Sequence, residues 1–228
     1  MNTKAIVLLS SGLDSTVNLY IAQQKLNVVM TLTFNYGQRA AQKEVECAQK
    51  ISEELGIKNQ VIDLPWLKDL GNSSLTKESK SIPTGSKVSI DNVKTSTESA
   101  KSVWIPNRNG IFLNIAAGFA ESLGANYIIP GFNAEEAATF PDNSYEFIRA
   151  TRKSLALSTA NHVDVQCFTV KMSKTEIVKV GHEMFVPFGL IWPCYQNLEK
   201  WCGECESCLR AKRAFKQNRV DIWGHFLK

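Results

Sequence analysis

Apolar and polar positions along this chain follow two rhythms. Residues 4–10, KAIVLLS, are an unbroken apolar run, the pattern of a strand buried on both faces. Residues 14–24 read as a helix, and NVVMTLTF at 27–34 is β-branched and apolar, a second strand. Ala41, Val45, Ala48, Ile51 and Leu55 then recur at spacings of three and four. That is one stripe of a helix, closed by Gly56. NQVIDLP at 59–65 reads as a third strand. The alternation β-α-β-α-β predicts an α/β fold, a parallel sheet with helices on both faces.

The rhythm breaks at 71–101, which is rich in Ser, Thr and Lys and carries Pro83 and Gly85. Its composition predicts either a plain surface loop or a mobile insertion that acts as a lid. Order returns in a helix on which Ile111, Ile115 and Phe119 share a face with Gly118. ANYIIPGF at 125–132 and VDVQCFTV at 163–170 read as two more strands, with a helix over 145–157 between them. Internal repeats and coiled-coil heptads are not evident.

Composition narrows the classes. A chain of 228 residues with 44% hydrophobic and 21% charged residues has the make-up of a globular protein able to build a sizeable core. A net charge of +4 permits an anionic ligand. It lacks the clustered basic footprint of a strong polyanion binder. No apolar stretch reaches the length of a bilayer span and no leader is recognised, so the expected compartment is the cytoplasm. Thiols stay reduced there, and the six cysteines are not expected to form disulfides.

Two motifs carry chemistry. The first is SSGLDS at 10–15, where the first strand turns into the first helix. Backbone N–H groups at a helix N-terminus attract anions, and small residues let a phosphate come close. Ser10, Ser11 and Ser15 add hydroxyls, while Asp14 can cap the helix or hold a Mg²⁺ that bridges phosphates. The closing Gly-Lys-Ser/Thr of a Walker A loop is missing, and the same residues also serve as ordinary turn formers.

The second motif is Cys194, Cys202, Cys205 and Cys208, spaced C-x7-C-x2-C-x2-C. Four thiolates suit a closed tetrahedral zinc site, and Gly203 permits the bend between ligands. With no open position the metal is structural. An iron–sulfur cluster also accepts four cysteines, but nothing else in the chain speaks for redox chemistry. Cys47 and Cys167 read as small buried apolar residues. Arg210, Lys212, Arg213, Lys216 and Arg219 follow the cysteines. They suggest a zinc-knuckle nucleic-acid binder or, preferred here, a solvated helix face.

SSGLDS resembles the SGGxDS loop of the PP-loop ATP pyrophosphatases, with Ser11 where those enzymes usually have Gly. Together with the cysteines it resembles the 7-cyano-7-deazaguanine synthases, the ExsB or QueC family, over nearly the whole chain. FNYGQRA resembles their FxYGQRH, with Ala40 in place of the His. IPNRN resembles VPxRN, MSKTEI resembles xxKAEx, and the closing WPCY…CGECESC resembles their cysteine-rich end. In GFNAEEAATFPDNSYEF, Gly131, Asn133, Pro141 and Asp142 match the family, Glu136 stands at an Asp position and Ala137, Thr139 and Phe140 depart from it.

The resemblance implies an adenine nucleotide alpha hydrolase-like unit over 1–190 and a zinc-binding region over 191–228. It implies ATP contacts at Leu9, Ser10, Ser11, Gly12, Leu13, Asp14, Ser15 and Thr16, and Mg²⁺ with the ATP. Asp14, Arg108 and Lys174 become the expected catalytic residues. Tyr36, Gln38, Arg39, Asn109, Glu136 and Asp142 become the expected substrate contacts. The implied reaction joins 7-carboxy-7-deazaguanine, ATP and ammonia into the nitrile 7-cyano-7-deazaguanine for queuosine synthesis, in a homodimer that binds no nucleic acid directly. The alternatives are a ligase that stops at the amide or takes another acid or amine, a PP-loop sulfur transferase using Cys47 or Cys167, and a non-catalytic tRNA-binding zinc module.

Overall fold

The structure is a computed structural model that describes residues 3–227, the side chains of Val93 and Lys94 aside. Five parallel strands form one sheet in the order β3-β2-β1-β4-β5: β1 Lys4–Leu8, β2 Asn27–Asn35, β3 Asn59–Asp63, β4 Tyr127–Ile129 and β5 Asp164–Val165. The helices are α1 Leu13–Lys25, α2 Ala41–Glu54, α3 Val93–Val103, α4 Arg108–Ser122, α5 Ala134–Ala137, α6 Tyr145–Ser158, α7 Lys174–Glu183 and α8 Glu206–Gln217.

The first strand shows why its run is uniformly apolar. Ile6 points into a cluster with Leu113, Ala116 and Ala120 of α4, while Ala5 and Val7 point into another with Leu19 of α1 and Ala48 and Ile51 of α2. Alternate side chains serve opposite faces, so Ala5, Ile6 and Val7 are all buried, with Lys4 and Leu8 half-buried at the strand ends. The chain leaves β1 toward β2 and β3, then returns to β4 on the other side. This switch between β1 and β4 opens a crevice at their carboxyl ends, where open α/β sheets bind ligands.

Several expectations need correction. The strand read over 163–170 shrinks to Asp164–Val165. Gln166 donates once more to Ile128 O at 3.0 Å. Beyond it, Phe168 N donates to Asn18 Oδ1 at 2.9 Å and Thr169 Oγ1 to Phe132 O at 2.6 Å. Side-chain bonds there replace the ladder. On α4 the fully buried face is Leu113, Ala116, Ala117 and Ala120, while Ile111, Ile115 and Phe119 pack only partly buried against it.

Residues 71–101 do not hang free. Leu75 enters the core beneath α4, Ile82 enters the cluster around the cysteines, and Thr84 bridges to Cys205. The C-terminal region is also fused to the sheet unit. Cys194, Cys202, Cys205, Cys208, Trp201 and Phe215 share one apolar cluster with Leu13 and Val17 of α1 and Ile177 and Val178 of α7. No helix among the described residues is long and apolar enough to cross a membrane.

One close approach sets the crevice. A Cβ built on Gly131, just after β4, would sit 2.6 Å from the N and Cα of Ser15 in the first turn of α1. The neighbour is backbone and cannot swing aside. Gly131→Ala is therefore expected to lower stability by about 1–3 kcal/mol and the melting temperature by about 3–10 °C. A variant melting within a degree of the parent would show that the two loops do not touch.

Candidate active site

The loop after β1 is built to leave the N-terminus of α1 open. Gly12 is the N-cap and supplies no side-chain acceptor, so the amides of the first turn lack both an intrahelical and a capping partner. Ser10 Oγ and Ser15 Oγ lie 3.1 Å apart at the mouth of this turn. Leu9, Ser10, Gly12, Leu13, Asp14 and Ser15 line a cavity of about 230 Å³ in the crevice. Ser11 and Thr16 do not. The Ser11 hydroxyl donates to Ser10 O at 2.6 Å, its carbonyl accepts from Trp192 N at 2.8 Å, and Thr16 Oγ1 donates to Gly12 O at 2.8 Å. Ser11 has φ 57°, a left-handed conformation that favours glycine. Its position thus calls for glycine because of the turn rather than because a side chain would block a phosphate.

Lys174, the first residue of α7, is held by a capping box. Ser173 Oγ accepts from Glu176 N, and the Glu176 carboxylate accepts from Ser173 N at 2.8 Å. The Lys174 side chain is buried and its ammonium bridges two carboxylates, Asp14 Oδ2 and Glu136 Oε1, the latter at 2.7 Å. Burial works against the charge on Lys174, but the two carboxylates more than offset it and hold its pKa above the usual lysine value. Burial is also the largest influence on Asp14, which rises to about 6 although Lys174 opposes this. Burial raises Glu136 as well, but Lys174 and Arg210 outweigh it and keep that carboxyl below its usual value. Asn133 Nδ2 donates to Asp14 Oδ2 at 3.2 Å, and Asp14 Oδ1 is a buried oxygen without a partner. An unpartnered carboxylate oxygen beside a helix N-terminus has the chemistry of a Mg²⁺ ligand.

The opposite wall joins β2, the loop after it and the start of α4. Tyr36 OH accepts from Arg108 Nη1 at 3.3 Å, and the guanidinium lies 5.9 Å from the Tyr36 ring centroid. Phe34 and Phe112 stack with centroids 4.0 Å apart. Tyr36, Gln38, Arg108, Asn109, Glu136, Asp142 and Lys174 all line the cavity. Arg39, expected among the substrate contacts, does not. It donates to the carbonyls of Lys77 and Lys80, and its own N–H to Leu75 O at 2.9 Å. Its Nη2 and backbone N–H fasten the 71–101 segment, while its buried Nε has no partner among the described residues. Glu136, also expected to read substrate, lines the cavity with its Oε1 held by Lys174.

The four cysteines are buried and their sulfurs all lie within 4.8 Å of one another. The Sγ atoms of Cys202 and Cys208 are 3.8 Å apart, the edge of a tetrahedron with metal–sulfur bonds of about 2.3 Å. Backbone amides point at the sulfurs. Cys205 N donates to Cys202 Sγ at 3.3 Å, and Cys202 N and Gln196 N each donate to Cys194 Sγ at 3.4 Å. Such donors stabilise thiolates, and the four residues are placed to bind a metal ion.

The sequence matches the family described as "Queuosine biosynthesis protein QueC" over residues 4–219. The chain belongs to the QueC family. It is 59% identical to a 7-cyano-7-deazaguanine synthase of Bdellovibrio bacteriovorus over 97% of this chain and 96% of that one. It is 53% identical to a 7-cyano-7-deazaguanine synthase of Carboxydothermus hydrogenoformans over 92% of this chain and 97% of that one. Among solved structures, a 4-thiouridine synthetase–RNA complex with bound ATP superposes with a TM-score of 0.53 at 19% identity, over 96% of this chain and 52% of that chain. That likeness concerns the fold.

The cavity of this QueC family chain is also lined by Glu44, Trp104 and Phe112, which the sequence pattern does not single out, and by Phe140, Trp192 and Tyr195, which lie in its motifs without an expected role. Glu44 sits on the exposed-looking stripe of α2, where only its partner six residues earlier, Gln38, gives it away. Its Oε2 accepts from Gln38 Nε2 at 2.8 Å. Burial raises its pKa from 4.5 to about 7, with Gln38 and Arg108 opposing. As pH rises from about 4.5 to 7 the unfolded chain gives up this proton before the folded one does, so stability falls across that window. Glu44→Gln is expected to flatten the fall and to stabilise the protein by about 2 kcal/mol at pH 8. Thermal melts of parent and variant at pH 5 and pH 8 check this, and equal shifts at both values would contradict it.

Proposed function

We propose that this chain catalyses the ATP-dependent conversion of 7-carboxy-7-deazaguanine and ammonia to 7-cyano-7-deazaguanine, in queuosine biosynthesis. The observation that carries the assignment is its near-full-length identity to 7-cyano-7-deazaguanine synthases. The crevice supports it with an open helix N-terminus, a buried lysine and a second wall of aromatic and charged side chains in one cavity.

A carboxylate resists ammonia because its carbon is electron-rich and oxide is a poor leaving group. In the first half-reaction a substrate carboxylate oxygen attacks the α-phosphorus of ATP, the α–β bridge breaks, and pyrophosphate leaves. Ammonia then adds to the acyl carbon and AMP departs, leaving an amide. In the second, the amide oxygen attacks the α-phosphorus of another ATP, pyrophosphate leaves and one N–H proton is given up; loss of AMP with the remaining N–H proton yields the nitrile. Each step develops negative charge on phosphate oxygens. Leu9, Ser10, Gly12, Leu13 and Ser15 hold the nucleotide at the N-terminus of α1, with Ser11 and Thr16 fixing the loop from behind. Lys174 and Arg108 supply positive charge that is already in place. Asp14 would hold Mg²⁺, which neutralises phosphate charge when bound with ATP. Tyr36, Gln38, Asn109 and Asp142 face the deazaguanine.

The four cysteines would hold Zn²⁺ as a structural ion, closing residues 191–228 onto the ATP-binding unit of 1–190. Cys47 and Cys167 are absent from the cavity lining, and burial pushes both thiols up, the reverse of a reactive thiolate. We read the enzyme as a cytoplasmic homodimer without a nucleic-acid partner, in line with the family resemblance and its mild net charge of +4.

Adenylation is testable with substrate carrying ¹⁸O in both carboxylate oxygens. One labelled AMP per activation is expected, two for each nitrile. Label in inorganic phosphate, with ADP formed, would contradict an adenylate.

A further inference from the structure

Arg210 belongs to the basic run of α8 that reads in sequence as a solvated face, yet it is only 5% exposed. It lies one half-turn beyond Cys208 on the helix whose N-cap is Cys205. Its Nε and Nη2 donate to Glu206 Oε1 at 3.2 and 2.8 Å, and its Nη1 donates to Glu135 Oε2 at 2.9 Å. Glu206 is fixed from the other side by Ser99 Oγ at 2.7 Å. Glu135 is two-handed. Its Oε2 takes Arg210 and Arg213 of α8, while its Oε1 accepts the backbone N–H of Lys174 at 2.9 Å. The next residue, Glu136, takes the Lys174 ammonium at 2.7 Å.

These contacts form an unbroken path from the cysteine cluster to the crevice: α8, Arg210, Glu135, then the first residue of α7. The main chain of Lys174 is thereby located relative to α8, and its ammonium is held by Asp14 and by Glu136, the chain neighbour of Glu135. The path suits arginine specifically, since three N–H groups of one planar fork serve two carboxylates at once. A lysine cannot reach both with the same geometry.

We propose that Arg210 is a positioning residue that, through Glu135, couples the four-cysteine metal site to Lys174. The inference rests on the reading of Lys174 as the cation that grips ATP.

The test uses the full-length, metal-loaded protein and the variants Arg210→Lys, Glu135→Gln and their double. Metal content by mass spectrometry and melting temperature are recorded first. Mg-ATP affinity is then measured by calorimetry, with KM values for ATP and for 7-carboxy-7-deazaguanine. Each single variant is expected to keep one metal per chain and to weaken ATP binding about fivefold to tenfold. KM for the acid should stay within twofold. Because both changes cut the same path, the double variant should lose no more than the worse single one, not the product of the two. ATP affinity within twofold of the parent, with only a lower melting temperature, would overturn the proposal and leave Arg210 as a brace. So would a rise in both KM values together. Should Arg210→Lys fail to fold, Glu135→Gln decides the matter by the same criteria. A parent that does not bind Mg-ATP at all would instead overturn the ATP-dependent reading on which the inference stands.

Discussion

Lys174→Ala is expected to lower kcat for nitrile formation by about a thousandfold, the range seen when a charged or dipolar group is withdrawn from developing negative charge. The structure explains why no neighbour substitutes. Lys174 is 4% exposed and is the cation that both Asp14 and Glu136 contact. Arg108 stands across the cavity beside Tyr36. The variant also leaves two carboxylates facing one another without their ammonium, a loss of about 3 kcal/mol and a melting temperature lower by about 6–12 °C. Asp14 already titrates at about 6 with the lysine present. Removing the ammonium raises that carboxyl further, so the variant takes up this proton at a higher pH than the parent and the deficit narrows as pH falls from 8 toward 6. Steady-state assays with melts at pH 5.5 and 8 read both effects. Activity within tenfold of the parent would remove Lys174 from the catalytic set.

Cys205→Ser is expected to release the metal and to lower stability by about 5 kcal/mol, or a melting temperature drop of about 10–20 °C. The loss is large because the cluster is not an appendage. Cys205 is fully buried, forms the N-cap of α8, bridges to Thr84 and packs in the same apolar group as Leu13 and Val17. Loosening it disturbs α8, the 71–101 segment and the helix that opens the nucleotide loop. Elemental analysis of the parent identifies the ion. Zinc at one per chain with a colourless protein is the expected result, and iron with sulfide would contradict the zinc assignment. A metal-free variant melting within 2 °C of the parent would show that the metal has no structural role.

Much of the fold could be read from the chain because its strands are buried on both sides. A parallel sheet covered by helices demands continuous apolar runs, and residues 4–8 and 27–34 display them plainly. Local capping chemistry was equally legible in principle. Ser173 and Glu176 form a capping box, the sequence sign of the α7 start. The misses share one cause, tertiary pairing that sequence periodicity does not encode. Arg210 carries a full charge in a basic run, yet Glu206 one turn earlier on α8 and Glu135 from a distant segment pair with it where it is buried. Arg39 lies beside Gln38, but its guanidinium turns to carbonyls near residue 80 while Gln38 turns to the cavity. Glu136 does line the cavity, but its pairing with Lys174 is invisible in the letters. Residues 71–101 are polar in composition, yet Leu75, Ile82 and Ala100 are enough to anchor them.

The candidate site divides the same way. The nucleotide loop and the four cysteines are contiguous or regularly spaced, so their chemistry shows in the letters. The substrate wall is assembled from β2, α2, α4 and the loop after β4, and its aromatic residues look like ordinary core until the cavity between them is seen. Glu44 is the clearest instance. It is one more acid on an amphipathic helix until Gln38 folds back onto it.

The central claim is tested most directly by incubating the purified protein with 7-carboxy-7-deazaguanine, Mg-ATP and ammonium, and reading the products by mass spectrometry. The predicted result is 7-cyano-7-deazaguanine with AMP and pyrophosphate, and none when ATP is omitted. Accumulation of the amide alone would contradict a complete nitrile synthase. Unchanged acid, from a protein that still binds Mg-ATP, would show that the crevice activates a different carboxylate.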